Sequence, residues 1–153
     1  MDDFKVPTVQ VDVSVLDAQG VELTGVIFMP AFSAVHAGPM DAAEWINSGS
    51  AFFPFRQADD RAFVLNKRQM LVLSVAVPVA DEAQEAGAEL PVKHVAVVVG
   101  PHRFEGRVVI DMPLNQQRLL DYVNRAEAFL LLHGDDGRDH LIQKDRISKL
   151  HEI

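Results

Sequence analysis

Five residues able to donate to a metal fall within eight positions of one segment: His133, Asp135, Asp136, Asp139 and His140 in "HGDDGRDH". Imidazole nitrogens and carboxylate oxygens that converge are the donor set a divalent cation uses. The spacing fits neither an EF-hand loop nor a zinc motif. The corresponding segment of the first half, "RQADDRAF" at 56–63, contains no His. Gly and Asp also tolerate the positive φ of tight turns, so a solvated hairpin is expected here and no metal is assigned. A small-ligand or metal sensor stays as an alternative use of the segment.

Two basic steps offer different chemistry. Lys67-Arg68 and Lys144-Asp145-Arg146 could present ammonium and guanidinium groups to a phosphate, as the rim of an RNA or ligand site. Asp59-x-Arg61 and Asp136-x-Arg138 read as turn acids paired with bases at the start of the next strand. No nucleophile elbow, phosphate loop, dinucleotide fingerprint or metalloprotease signature is present. Cys is absent, which removes thiol chemistry and disulfides. No catalytic residue and no cofactor is assigned, and the chain is expected not to be an enzyme.

Charge narrows the partners. Twenty-two acidic against 14 basic residues give a net charge of −8, so a phosphate backbone is repelled unless the basic residues gather on one face. Hydrophobic residues make up 48% of the 153, enough for a core, and the apolar runs are too short or too interrupted to span a bilayer. "MDDFKVP" carries acids where a signal peptide needs bases, so a cytoplasmic protein is expected, with no membrane partner.

The elements that must position these residues are mostly strands. "VQVDVSVLD" sets Val9, Val11, Val13 and Val15 on one face and Gln10, Asp12 and Ser14 on the other. Shifted by 77 residues, the chain matches itself without a gap from Glu44 to Ala76: Asn47 with Asn124, Ala51 with Ala128, Phe52 with Phe129, Asp59 with Asp136, Arg61 with Arg138, Lys67 with Lys144 and Leu73 with Leu150. Trp45 faces Tyr122 in the same overlay. Upstream, "LTG" (23–25) answers "FEG" (104–106) at a changed spacing. That pattern predicts a small domain written twice, residues 8–79 and 92–153, joined by the acidic linker "ADEAQEAGAELP" at 80–91.

Each copy reads as five short strands with a brief helical insert between strands two and three. "DAAEWIN" has Asp41 and Glu44 at capping-box spacing, and "LNQQRLLDYVN" has Asn115 as N-cap, with Asn47 and Asn124 closing the two helical pieces. The copies resemble the Sm/Hfq-like small β-barrels. In the second copy Phe104, Gly106, Phe129, Leu130, Leu132, Gly134, Lys144 and Ile147 carry that resemblance; in the first, Leu23, Gly25, Phe52, Phe53, Phe55, Lys67 and Met70 do. It implies a mostly β fold of two tandem five-stranded barrels of SH3 type and assembly by strand pairing between copies. With two copies per chain, a trimer would make a pseudo-hexameric ring.

RNA binding is a further implication of the resemblance, at Lys67, Arg68, Lys144 and Arg146. Asp145 stands where the bacterial RNA chaperone of that family has His, which weakens the implication. The reading is therefore a non-catalytic protein-interaction or scaffold module, a homo-oligomer, with RNA binding as the alternative. The apolar segment "PAFSAVHAGPM" is expected to form part of its interaction surface through Phe32, Val35, His36 and Met40.

Overall fold

β-branched residues in period-two alternation favour extended backbone. The computed structural model, which describes residues 7–33, 40–76, 90–113, 115 and 117–153, is mostly antiparallel sheet with two short α-helices. The chain divides into two compact units, Met1–Val75 and Ala76–Ile153. Of the segment expected as a linker, only Leu90 and Pro91 are described. Among the described residues no helix is long and apolar enough to cross a membrane.

In the first unit β1 (Thr8–Asp17), β2 (Glu22–Pro30), α1 (Ala42–Ile46), β3 (Phe52–Gln57), β4 (Ala62–Asn66) and β5 (Met70–Ala76) follow one another, with a 3-10 turn at Lys67–Gln69 before β5. Their order in the sheet is β5-β1-β2-β3-β4. The second unit contains β6 (Val92–Val99), β7 (His102–Val109), α2 (Leu119–Val123), β8 (Phe129–Gly134), β9 (Arg138–Gln143), a 3-10 turn at Lys144–Arg146 and β10 (Lys149–Glu152). Its order, β10-β6-β7-β8-β9, repeats that of the first.

The expected closed barrels are not formed by hydrogen bonding. The fifth strand of each unit pairs with the first rather than with the fourth, and among the described residues β4 has β3 as its one neighbour in the sheet. A single 3-10 turn separates strands four and five.

Bending comes from one glycine per unit. A Cβ on Gly25 would run into the Arg56 carbonyl, and one on Gly106 into the His133 carbonyl, so strand two approaches strand three more closely than any other residue permits. The strand-two to strand-three ladders are correspondingly brief: Gly25 to Ile27 against Gln57 to Phe55, and Gly106 and Arg107 against Gly134 and His133. Inward residues then form the cores, Val13, Val15, Ile27, Phe53, Phe55 and Met70 in one unit and Val95, Val97, Val108, Leu130, Leu132 and Ile142 in the other, all buried. Each such aliphatic or aromatic side chain contributes roughly 1.5–3 kcal/mol by leaving water.

Two local expectations change. Val9 is 46% exposed, because β5 pairs with β1 only from Val13 onward and the first half of β1 runs past the core. Asn115 does not cap α2; Arg118 holds that position without a side-chain cap bond and instead forks onto Asp121 through Nε and Nη2 at 2.9 and 3.1 Å. Asp41 does cap α1, its Oδ1 accepting the Glu44 N–H at 2.7 Å. The Glu44 carboxylate accepts the Ser33 hydroxyl at 2.6 Å.

Candidate functional site

The recurring lysine is a structural cap in both units. Lys67 leads the 3-10 turn with its backbone N–H on the Ala51 carbonyl, and Lys144 does the same on Ala128. From there the Lys67 ammonium reaches back under α1 and donates to the carbonyls of Trp45 and Ser48 at 3.2 and 2.8 Å. It also lies 4.8 Å over the Trp45 ring, which packs edge-on against Phe53. A cation is thus set at the C-terminal end of a short helix, where carbonyl oxygens concentrate and positive charge is favoured. Lys144 repeats the contact with one carbonyl, that of Arg125, at 3.2 Å. Burial pushes both ammonium groups below the usual lysine range; near Lys144 the charges of Glu127, which raises, and Arg125, which lowers, also act.

The proposed basic rim is therefore divided. Lys67 is 8% exposed and its ammonium is directed inward, so it does not stand on a rim; Lys144 is half-buried. Arg68 and Arg146 are exposed on their 3-10 turns. The sequence could not reveal the inward turn, since the carbonyls that hold Lys67 lie 19 and 22 residues away.

The His-rich hairpin is organised as separate pairs. His133 Nδ1 lies 2.7 Å from Asp139 Oδ1, His140 Nε2 3.0 Å from Asp136 Oδ2, and His94 Nε2, from β6, 2.8 Å from Asp135 Oδ2. Among the described residues no three His, Asp or Glu side chains come together as a metal site. Burial raises the Asp136 carboxyl, but the Arg138 N–H and the His140 imidazole more than compensate, leaving it below the ordinary carboxylate range. Its stabilising contribution is thus complete above the unfolded value of 3.8 and is lost as pH falls through the lower folded value. Asp136→Asn should lower urea stability at pH 7 by less than about 1 kcal/mol and leave it unchanged near pH 2. An equal loss at both pH values would show that the charge is not responsible.

A third feature was not singled out from sequence. Pairing in the β3–β4 hairpin sets Phe53 opposite Leu65 and Phe55 opposite Phe63, with Phe53 and Phe55 buried. The other face carries Phe52 and the Pro54–Val64 pair, and there Phe52 is 57% and Val64 71% exposed. At the matching positions of the second unit Phe129 is 6% and Leu141 0% exposed. The signal lay in "FFPF", a strand apolar on both faces, the pattern of one covered on both sides. Of the expected interaction segment, Phe32 is 70% exposed and Met40 half-buried, while Val35 and His36 lie outside the described residues.

Family models, curated proteins and solved structures give no match to this chain. Function has to come from its own geometry.

Proposed function

We propose that this chain is a non-catalytic scaffold module, a tandem duplication of open, Sm-like five-stranded units, and that chains join through the outer edge of β4. The observation that carries the reading is the exposed apolar face of the β3–β4 hairpin, Phe52 and Val64, set against its buried counterparts Phe129 and Leu141. Among the described residues β4 has one neighbour in the sheet, so a row of backbone N–H and C=O groups lies beside that face. A strand edge flanked by exposed apolar side chains favours addition of another strand. The occupant is a second copy offering β10, which likewise has a single neighbour, β6. Because the two edges differ, the contact is heterologous, the kind that makes a ring when its rotation closes, and a closed ring is the form proposed. Three chains would supply six such units, a trimeric pseudo-hexamer in the cytoplasm, with Phe32 of the neighbouring segment as part of the surface for a protein partner.

RNA binding is the weaker reading. It needs Lys67, Arg68, Lys144 and Arg146 on the surface, whereas Lys67 is held inside and the net charge of −8 opposes a phosphate backbone. Light scattering tests the assembly. The wild type should have three times the chain mass of 16.9 kDa, and Val64→Lys should return it to 16.9 kDa. Val64 is exposed, so this substitution should change thermal stability of the monomer by no more than about 0.5 kcal/mol. A wild type that stays at 16.9 kDa at micromolar concentration contradicts the proposal.

A further inference from the structure

A pocket of about 240 Å³ lies in the first unit between the β1–β2 turn and the 3-10 turn after β4. Leu23, Leu65 and Met70 supply its apolar lining, and Asp17, Gln19, Asn66 and Gln69 its polar one. Both walls are fixed by their own hydrogen bonds. Asp17 Oδ1 accepts the N–H groups of Gln19 and Val21 at 2.9 Å each, Asn66 Oδ1 accepts that of Arg68 at 3.0 Å, and Ala18 N–H donates to the Gln69 carbonyl at 2.8 Å. The lining therefore holds one carboxylate and three amides on an aliphatic base, with no Lys or Arg.

We propose that this pocket binds a primary alkylammonium group, its chain on Leu23, Leu65 and Met70 and its charge toward Asp17. Anions are disfavoured by the carboxylate and by the net charge of −8. At roughly 30 Å³ per water-sized volume, the space suits about eight heavy atoms, the size of hexylamine or of a lysine side chain. The second unit supplies an internal contrast. Phe104 stands two residues before Gly106, as Leu23 stands before Gly25, and its ring packs 5.2 Å from that of His140. Val99 ends β6 where Asp17 ends β1, and the turn that follows is Gly100-Pro101, shorter than the four residues 18–21. At the equivalent positions the second unit thus lacks the carboxylate and carries a larger ring, so this lining is not repeated there, and binding does not depend on the assembly proposed above.

Methyl NMR titrations of the full chain at pH 7 with n-hexylamine, 1-hexanol, hexanoate and Nα-acetyl-lysine-N-methylamide test the assignment. Hexylammonium should shift Leu23, Leu65 and Met70 saturably, about tenfold more tightly than hexanol, and hexanoate should not. Asp17→Asn keeps an oxygen for the two turn N–H groups and should make amine and alcohol equivalent. Leu23→Phe, which copies the second unit, should abolish the shifts while leaving the spectrum folded. Binding of the lysine derivative as well as hexylamine would point to a partner's lysine as the natural occupant, and of hexylamine alone to a free amine. Equal binding of amine and alcohol to the wild type, a preference that survives Asp17→Asn, or no saturable shift with either amine overturns the proposal.

Discussion

Gly106→Ala is expected to destabilise the second unit by about 3 kcal/mol or more, read as a fall in urea midpoint. The added methyl would overlap the His133 carbonyl and lie 2.8 Å from the Gly134 Cα, and both obstacles are backbone. Relief requires β7 and β8 to separate where only Gly106–Gly134 and Arg107–His133 hold them in register. Gly25→Ala should behave alike in the first unit, where the obstacle is the Arg56 carbonyl. Gly20 is the control. It has φ +84° but open space around it, so Gly20→Ala should cost only about 1 kcal/mol from the left-handed backbone. Equal effects at Gly20 and Gly106 would mean that close approach of strands two and three does not set the bend.

Lys67→Met is the second large effect. Methionine keeps the aliphatic stem against Trp45 but leaves the Ser48 carbonyl without the ammonium and weakens the satisfaction of Trp45. A hydrogen bond from a charged donor contributes roughly 1.5–3 kcal/mol, and because these carbonyls are only part-buried the loss in urea stability should lie at the lower end of that range. Lys144→Met should cost about half as much, since Lys144 meets one carbonyl at 3.2 Å and is less buried. A rim role predicts the reverse: unchanged stability in both variants and weakened, salt-sensitive RNA retention.

Much of the architecture is legible in the residues. The offset of 77 that aligns Lys67 with Lys144 also aligns their backbone bonds, to Ala51 and to Ala128. The Asn47 and Asn124 positions close both short helices, as their place in the overlay implies. Period-two alternation located the strands because inward side chains must repeat every second residue. What alternation cannot carry is where a strand outruns its neighbour, which is why Val9 is exposed. Side chains whose partners are remote in sequence are equally hidden: a lysine on a turn reads as a surface cation until the carbonyls of a helix twenty residues away are placed above it. The pocket escaped for another reason. It arises from a difference between two otherwise matching segments, Leu23 for Phe104 beside a longer turn, and repetition directs attention to what is the same.

Hydrogen exchange across the β4 amides, residues 62–66, at several protein concentrations tests the assembly most directly. Backbone amides on an open strand edge exchange quickly, and those paired with a neighbouring chain are protected by the free energy of that pairing. The proposed head-to-tail contact predicts protection at alternate β4 residues that deepens as concentration rises and disappears in Val64→Lys. Fast exchange of the outward amides at every concentration, in wild type and variant alike, would contradict it.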